Sequence, residues 1–218
     1  MNGKLRAAQL AIRFVRDGMV LGIGSGSTVE IFLELLRNTV KKLELEIYGI
    51  PSSYLSQFLA AKAGVKIVDL CEFDEIDLYI DGADQVDSNF NCIKGGGAAM
   101  TREKILANAS NKVLIIVDDS KLTEKLSFPV PVEILPFSYG FVKKRIEEIC
   151  KECILRIGKR KFGPIITDNG NFILDCKFEE LRDIKKLEME INSIPGVIEN
   201  GLFPNSLVDS VIVGPNTG

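Results

Sequence analysis

The sequence predicts an α/β fold, in which helices cover both faces of a parallel sheet, with a smaller α+β domain inserted before the last strand. Three observations predict it: helical and strand patterns alternate through the first half of the chain, several strands are apolar throughout, and the pattern changes near residues 129–131. Strands buried on both faces are typical of parallel sheets built from βαβ units. Ligands of such sheets bind at the carboxyl ends of the strands.

The elements of the first half follow from the spacing of apolar residues. Apolar residues three or four positions apart predict helices at 4–17, 28–43, 52–63 and 101–109. Short apolar runs between these helices predict strands at 20–23, 46–50, 65–70, 77–80 and 113–117. The series is that of a Rossmann-like domain, and the apolar run 211–213 is expected to rejoin its sheet.

The pattern between the two parts of that domain is different. It predicts, in order, a strand at 132–135, a helix at 139–152, a strand at 154–157, a hairpin turning at 168–170, a helix at 180–192 and a strand after residue 196. The Asn169-Gly170 pair is a strong hairpin signal. This order predicts a ferredoxin-like antiparallel sheet. The predicted domains are therefore a catalytic α/β domain at 1–128 and 208–218 and a small α+β domain at 129–207.

Composition and charge exclude several classes of protein. The chain has 218 residues, 46% hydrophobic and 26% charged, and a net charge of -3 with both signs interspersed. Without a basic stripe, no nucleic-acid partner is expected. No apolar run approaches the roughly 20 residues of a membrane span, and the first residues do not form a secretory leader. We therefore expect a cytoplasmic protein that is not bound to a membrane.

Five cysteines, at positions 71, 92, 150, 153 and 176, are odd in number and irregularly spaced. This usage predicts free thiols in a reducing compartment. Cys150 and Cys153 are the one pair with ligand spacing, and they lie in a stretch with a helical pattern, residues 141–155. A spacing of three places both thiols on one helix face. Core packing is therefore favoured over metal binding or redox use.

The chain contains no histidine. This absence removes the usual proton shuttle at pH 7 and excludes Ser-His-Asp and Cys-His nucleophiles. Acid–base work must therefore fall to Asp, Glu, Lys or Tyr. A carboxylate can take a proton from carbon beside a carbonyl if a cation or amide donors hold the developing enediolate oxygen. Glu103 and Lys94 are the candidates for these two tasks.

The densest group of polar residues directly follows the predicted strand 77–80. Asp81 and Asp84 come first, Lys94 precedes Gly95, Gly96 and Gly97, and Glu103 lies in the first turn of the next helix. Alone, the two aspartates could form a solvated turn, and Glu103 could complement a helix dipole. Consecutive glycines are entropically unfavourable and are expected where backbone approaches a ligand closely. Together the residues predict a site for an anionic, oxygen-rich substrate.

A second glycine-rich segment, residues 22–28, joins an apolar strand to a helix. Its backbone N–H groups, with the Ser25, Ser27 and Thr28 hydroxyls, predict a phosphate or carboxylate cradle; the alternative is a tight turn with a helix cap. The segment fails the dinucleotide fingerprint, because position 29 is Val29 rather than glycine, and it fails the nucleotide P-loop pattern. A small phosphate ester is therefore favoured over NAD or ATP, and no cofactor is expected.

A calcium loop is excluded by spacing. Asp87, Asn89 and Asn91 begin with the required alternation. The sixth position is Cys92, where glycine is needed, and the twelfth is Ala98 instead of glutamate. The sequence therefore predicts no metal site.

Seven motifs in order resemble one known family. They are Gly-Ser-Gly-Ser-Thr at 24–28, Asp-Gly-Ala-Asp at 81–84, Lys-Gly-Gly-Gly-Ala-Ala-Met-Thr-Arg-Glu-Lys at 94–104, Asp-Ser-Lys at 119–121, Pro-Val-Pro-Val-Glu at 129–133, Thr-Asp-Asn-Gly-Asn at 167–171 and Ile-Pro-Gly-Val at 194–197. From about residue 4 to residue 214, the chain resembles the ribose-5-phosphate isomerases of the A type.

The resemblance implies metal-free interconversion of ribose 5-phosphate and ribulose 5-phosphate through an enediolate, in the non-oxidative pentose phosphate pathway. It implies that Glu103 carries the proton between C1 and C2, that Asp81 and Asp84 serve ring opening and hydroxyl binding, and that Lys94 faces the enediolate. The implied substrate-binding residues are Ser25, Gly26, Ser27, Thr28, Asp81, Gly82, Ala83, Asp84, Lys94, Gly95, Gly96, Gly97 and Lys121. Lys4 matches a family lysine near the phosphate and is not included in the predicted site.

The family resemblance also implies an oligomeric state. Its members are usually dimers or tetramers, so a homo-oligomer is expected, with a homodimer as the first expectation. Ser25 stands where threonine is frequent in the family and keeps the hydroxyl. The segment 137–141 and the short tail after residue 215 depart from the family pattern and affect expectations for subunit contacts more than for the chemistry.

Two other functions are alternatives to this one. Related folds serve as sugar-phosphate sensors in transcription regulators, but such a regulator needs a DNA-binding module, and the chain begins only a few residues before its first predicted helix. A CoA transferase or an amino-sugar phosphate deaminase is the second alternative. The segment from Lys94 to Glu103 favours the pentose isomerase over this second alternative.

Overall fold

The computed structural model describes residues 2–160 and 162–216. In this part of the chain the α-helices are Gly3–Ala11 (α1), Ser27–Leu43 (α2), Tyr54–Lys62 (α3), Met100–Asn108 (α4), Tyr139–Glu147 (α5) and Ile184–Asn192 (α6). The strands of the same residues are Val20–Ile23 (β1), Tyr48–Pro51 (β2), Lys66–Ile67 (β3), Leu78–Asp81 (β4), Gln85–Val86 (β5), Cys92–Ile93 (β6), Val113–Asp118 (β7), Val130–Ile134 (β8), Glu152–Leu155 (β9), Phe172–Lys177 (β10), Val197–Asn200 (β11), Leu202–Phe203 (β12) and Ser210–Gly214 (β13).

The chain divides into two compact units. The first consists of Met1–Ala83, Arg102–Leu122 and Ser206–Gly218, and the second consists of Asp84–Thr101 and Thr123–Asn205. Residues 84–101 thus group with the second unit. The boundaries of the small domain predicted at 129–207 stay a prediction. No helix of the described residues is long and apolar enough to cross a lipid bilayer.

The first unit contains the predicted parallel sheet. Its six strands have the order β13-β7-β4-β1-β2-β3, and every neighbouring pair is parallel. The last strand, β13, rejoins this sheet beside β7, as predicted. Ile23 at the end of β1 lies opposite Ile80 of β4 and Pro51 of β2. The residues that follow these strands therefore meet at one edge of the sheet.

The apolar strands and helices of the first unit form one core. All six residues of β7 are buried, as expected for a strand covered on both faces. In α2, Val29, Phe32, Leu33 and Leu36 repeat at intervals of three and four, which places them on one helix face, and all four are buried in this core. The core fixes the strand ends from which the candidate site is built.

One strand of the first unit is shorter than predicted. The apolar run at 65–70 predicts a long strand, but β3 contains only Lys66 and Ile67. Asp69 ends it, because its side chain accepts a hydrogen bond from the Cys71 backbone N–H (3.4 Å) while the Glu72 carboxylate accepts one from the Asp69 N–H (2.6 Å). Such local side-chain bonds compete with sheet pairing.

The second unit contains the predicted ferredoxin-like arrangement. Its elements follow in the order β8-α5-β9-β10-α6-β11, and the antiparallel sheet has the order β11-β8-β10-β9. Helix α6 begins later than predicted, because Asp183 caps it by accepting a hydrogen bond from the Lys186 N–H at 3.2 Å. A three-stranded sheet, β12-β6-β5, is also present in this unit. Strands of two residues are too short to show an alternating pattern, so the sequence did not predict it.

The prediction of one helix at 139–152 is wrong. Helix α5 ends at Glu147, and residues 152–155 form β9, which pairs with β10. Pairing with a neighbouring strand has overridden the local helical pattern. Cys150 and Cys153 therefore do not share a helix face: Cys150 lies in the connection after α5, and Cys153 lies in β9.

The core of the first unit predicts a contrast between two leucines of α2. Leu36 is 0% exposed and Leu43 is 59% exposed. Leu36→Ala should lower the free energy of unfolding by about 2–5 kcal/mol through the cavity it leaves, and Leu43→Ala should change it by no more than about 0.5 kcal/mol. Urea unfolding of both variants measures the difference. Equal losses would show that the position of the core is wrongly assigned.

Candidate active site

The glycine-rich segment forms the connection between β1 and α2, at the carboxyl edge of the parallel sheet. Gly26 precedes the first helical residue, Ser27, and has φ +108°, a conformation that favours glycine. The first N–H groups of an α-helix have no intrahelical acceptor, and the helix dipole makes this end positive. An anion would be stabilised at such a helix start, and the cradle at Ser25, Gly26, Ser27 and Thr28 stays a prediction.

Hydroxyl groups fix Ser25 within this segment. Its Oγ lies 2.9 Å from Ser52 Oγ and donates to Ser53 Oγ at 2.8 Å. Ser52 is buried, and Ser53 caps α3. A lysine that the predicted site did not include also reaches the segment, since Lys4 Nζ donates to Ser27 Oγ at 2.8 Å. The structure therefore places a positive charge beside the cradle.

Asp81 is the last residue of β4 and is 0% exposed. Its Oδ1 accepts hydrogen bonds from the backbone N–H groups of Ser25 (3.0 Å) and Gly82 (2.7 Å), and its Oδ2 accepts one from the Tyr79 hydroxyl. Burying a carboxylate is unfavourable unless donors satisfy it. A Cβ on Gly24 would lie 1.9 Å from Asp81 Cγ, so this carboxylate requires glycine at position 24.

Tyr79 lies two residues before Asp81, on the same face of β4. Burial raises the pKa of its phenol well above the usual value, and the negative charges of Asp81 and Glu103 and the hydrogen bond to Asp81 raise it further. The phenol therefore remains neutral and donates to Asp81. Because both carboxylates act on the same buried phenol, the structure brings Asp81 and Glu103 into one electrostatic environment.

Glu103 lies in the first turn of α4 and is 4% exposed. A glutamate that only complements a helix dipole can remain in solvent, whereas this side chain is withdrawn from it. Burying a carboxylate is costly unless hydrogen bonds or charges offset the loss of water. The burial favours the functional interpretation of Glu103 over the helix-cap alternative.

Asp84 and the glycine segment belong to the second unit. Gly96 N–H donates to Asp84 Oδ2 at 2.7 Å, and a Cβ on Gly96 would lie 2.7 Å from Asp84 Oδ1. Gly95 has φ +100°. Gly95 is therefore required by its backbone conformation and Gly96 by its closeness to Asp84. The predicted close approach of this backbone to a ligand stays a prediction.

Lys94 directly follows β6 and is 3% exposed. Its backbone N–H donates to Gly201 O at 2.9 Å, and its Nζ lies 5.4 Å from the centre of the Phe203 ring. A cation over an aromatic face is stabilised by the ring quadrupole. The ammonium group is thus held on the second unit beside the glycine segment.

Arg156 supports the same segment and was not found from the sequence. Its Nη1 donates to the carbonyl oxygen of Gly95 at 2.8 Å, while its guanidinium forms a two-point ion pair with Asp175. Planar, two-point pairing fixes the guanidinium geometry. Arg156 is about sixty positions from Gly95 in the chain, so no local pattern predicts this contact.

Three motifs of the resemblance meet at a buried carboxylate. Glu133 is 0% exposed and accepts hydrogen bonds from the side chains of Thr101, Thr167 (2.7 Å), Asn169 (3.1 Å) and Asn171 (2.8 Å). All four donors satisfy the charge that burial would otherwise penalise. Because Thr101 belongs to the first turn of α4, these motifs serve to hold the beginning of that helix.

Lys121 ends a short 3-10 turn after β7, at the same sheet edge as Asp81. The Asp118 carboxylate caps this turn by accepting from Ser120 N–H at 3.0 Å. Burial alone would raise the pKa of Asp118, but hydrogen bonds from Ser120 and Asn216 and the charge of Lys4 lower it overall. The cap therefore stays charged and holds the turn that carries Lys121.

The predicted site residues are divided between the units. Ser25, Gly26, Ser27, Thr28, Asp81, Gly82, Ala83, Glu103 and Lys121 belong to the first, and Asp84, Lys94, Gly95, Gly96 and Gly97 belong to the second. Within the first unit, Ser25 and Asp81 are in direct contact; within the second, Asp84 and Gly96 are. Among the described residues, no group of three His, Cys, Asp or Glu side chains is placed to hold a metal ion.

Comparison with known proteins gives one consistent result. Residues 48–218 match the family model described as ribose 5-phosphate isomerase A (phosphoriboisomerase A). The ribose-5-phosphate isomerase A of Archaeoglobus fulgidus is 62% identical over 215 residues, covering 98% of this chain and 95% of that protein. The protein of the same name from Methanothermobacter thermautotrophicus is 45% identical over 219 residues, covering 100% and 96%.

Solved structures agree with the sequences. Ribose 5-phosphate isomerase A from Methanocaldococcus jannaschii superposes with a TM-score of 0.92 at 44% identity, covering 97% of this chain and 93% of that chain. A D-ribose-5-phosphate isomerase in complex with phospho-erythronic acid superposes with a TM-score of 0.96 at 43% identity, covering 100% and 97%. The fold, the ordered motifs and these relatives lead to one conclusion: the chain belongs to the ribose-5-phosphate isomerase A family.

Proposed function

We propose that the chain interconverts D-ribose 5-phosphate and D-ribulose 5-phosphate by moving a proton between C1 and C2 through an enediolate. The observation that carries the proposal is the burial of Glu103 in the first turn of α4, within the family match. The related isomerase that binds phospho-erythronic acid supports a sugar-phosphate substrate. Catalysis by Glu103 also agrees with a chain that contains no histidine.

Glu103 is the proposed base. A carboxylate withdrawn from water is suited to take the proton from C2 of the open aldose and to return it to C1. Lys94 and the amides of Gly95, Gly96 and Gly97 would hold the oxygens on which negative charge develops, since donors fixed in advance stabilise the enediolate more than the substrate.

The phosphate is assigned to the start of α2. Backbone N–H groups and hydroxyls of Ser25 to Thr28 would bind it, and the contact of Lys4 with Ser27 adds a cation. Asp81 and Asp84 would assist ring opening and bind the sugar hydroxyls. For Asp81, the neutral Tyr79 hydroxyl and two backbone N–H groups fix the carboxylate orientation in advance of substrate.

The pathway, the compartment and the assembly of the enzyme are proposed from the family resemblance. The proposed enzyme acts in the non-oxidative pentose phosphate pathway, in the cytoplasm, and needs neither cofactor nor metal. Its proposed assembly is a homo-oligomer, with the homodimer as the first expectation. The five cysteines are free, which supports a reducing compartment. The rings of Phe137 (101% exposed) and Phe162 (106% exposed) are apolar surface that a subunit contact could bury.

Glu103→Gln tests the proposed base. The amide keeps the size of the side chain but cannot accept the proton from carbon, so kcat for ribose 5-phosphate should fall by about 10²- to 10⁴-fold. Glu34→Gln, at an exposed position of α2, is the matched control and should keep the wild-type rate. Ketose formation is followed for both folded variants. A Glu103→Gln enzyme with near wild-type kcat would assign the base to another group.

Tyr79→Phe tests the orientation of Asp81. Removing the hydroxyl leaves a buried carboxylate oxygen without this donor, which should lower the free energy of unfolding by about 1–3 kcal/mol. We expect kcat/KM to fall about tenfold, since this corresponds to 1.36 kcal/mol of transition-state binding. Tyr48, in β2 of the same sheet, also donates its hydroxyl to a carboxylate, that of Glu46, so Tyr48→Phe is the matched control. Unchanged stability and activity in Tyr79→Phe would remove the orienting role.

The phosphate assignment is tested with two substrates and one lysine. Ribose lacks the phosphate, so its kcat/KM should be lower than that of ribose 5-phosphate by on the order of a thousandfold, or about 4 kcal/mol. Lys4→Met should lower activity on ribose 5-phosphate and leave activity on ribose unchanged, and Lys62→Met, at the exposed end of α3, should affect neither. Equal losses on both substrates in Lys4→Met would contradict phosphate binding at the start of α2.

A further inference from the structure

Three cysteines of the second unit come together in space although the sequence separates them. Cys153 in β9 lies directly opposite Cys176 in β10, and their Sγ atoms are 3.5 Å apart. Cys150 packs against the same apolar cluster from the connection after α5. In the sequence only Cys150 and Cys153 have the spacing of a pair, and Cys176 joins them only in the fold.

The sheet geometry permits covalent chemistry here. Arg156 N–H donates to Ile173 O, so along this antiparallel ladder the pair formed by Cys153 and Cys176, three positions away, is a non-hydrogen-bonded pair. Cα atoms of such a pair are about 4.5 Å apart, which is within the range for a disulfide of about 4.4–6.8 Å. This geometry permits a bond between Cys153 and Cys176. Because both of these thiols are buried, a solute meets the third sulfur of the cluster, that of Cys150, before it meets either of them.

The three thiols differ in access. Cys153 and Cys176 are 4% and 0% exposed, whereas Cys150 is only half-buried. Solutes therefore reach Cys150 first. A hydrogen bond with Cys176 lowers the pKa of the Cys150 thiol, and the same bond, together with one to Cys153, raises the pKa of Cys176. The accessible sulfur is thus the one favoured as the thiolate nucleophile.

We propose that Cys150, Cys153 and Cys176 form a peroxide-reactive thiol site, in which hydrogen peroxide oxidises Cys150 and Cys176 resolves the product to a disulfide. None of the three takes part in the proposed isomerisation. In the described part of the chain, no group of three ligating side chains is placed for a metal ion, so metal binding is not the favoured use of the cluster.

The chemistry balances in two steps. The Cys150 thiolate attacks one oxygen of hydrogen peroxide; the O–O bond breaks, hydroxide leaves and becomes water, and Cys150 becomes a sulfenic acid. The Cys176 sulfur then attacks the Cys150 sulfur, the S–O bond breaks, and the departing hydroxide takes the Cys176 proton as a second water. Overall, two thiols lose two electrons and two protons to one peroxide.

The experiment uses the full chain carrying Cys71→Ser, because Cys71 is exposed and would form intermolecular disulfides. The folded protein is treated with hydrogen peroxide, remaining thiols are alkylated, and the unreduced protein is digested with trypsin. Cleavage after lysine and arginine places Cys150, Cys153 and Cys176 on separate peptides, namely 146–151, 152–156 and 162–177. Each possible disulfide therefore gives a different linked pair.

The expected result is a linked pair of 146–151 with 162–177, lost on reduction with dithiothreitol. Cys150→Ser should slow the loss of thiols at least about tenfold, because the remaining sulfurs of the cluster are buried. Cys176→Ala should stop the reaction at a Cys150 sulfenic acid, which dimedone traps. Cys153→Ser, the matched control, should still form the linked pair.

Three results would overturn the proposal. One is peroxide oxidation of Cys150 no faster than that of the buried Cys92. Another is a sulfenic acid on Cys150 that persists without a linked pair in the protein with an intact cluster. The third is a bond between 152–156 and 162–177 that forms at the same rate in Cys150→Ser. The first two need no variant within the cluster, so they stand even if a cysteine substitution impairs folding.

Discussion

The buried carboxylate of Asp81 is the constraint on which the first unit's part of the candidate site depends. A fully buried charge at the end of β4 is tolerated only because three donors satisfy its two oxygens. Two of these donors constrain other parts of the site. The hydrogen bond from Ser25 N–H fixes the connection after β1, and Tyr79 must stay a neutral phenol in order to donate. The same carboxylate excludes a side chain at Gly24. Several residues that look like separate motifs in the sequence are thus consequences of one charge.

Much of the fold and of the candidate site could be predicted from the sequence, for reasons that differ between elements. The parallel sheet was predictable because β7 and its neighbours are apolar throughout, and a strand buried on both faces has this composition. Gly26 and Gly95 were singled out as backbone that approaches a ligand, and the structure shows a further reason for glycine, because both have a positive φ. Asp81, Asp84, Lys94 and Glu103 could be predicted as site residues because they lie close together in the chain.

Other features depend on contacts between distant residues. The end of α5 is set by the pairing of β9 with β10, so the helical pattern of the sequence was misleading there. The contact of Arg156 with Gly95 and the donors around Glu133 join segments far apart in the chain. The contact of Tyr79 with Asp81, in contrast, could have been predicted from the sequence, because residues two positions apart on a strand lie on the same face. In the sequence Tyr79 is part of the apolar run that predicts the strand 77–80.

The central claim is that a protein carboxylate carries a proton between two carbons of the sugar phosphate. Isomerisation carried to equilibrium in D2O tests it most directly, with the hydrogens of the sugar followed by NMR. A proton removed by Glu103 can exchange with solvent while it is bound to the carboxylate, so the account predicts deuterium at C2 of ribose 5-phosphate and at C1 of ribulose 5-phosphate after many turnovers. Equilibrated sugars without deuterium at either carbon would indicate a direct hydride shift and would contradict the account.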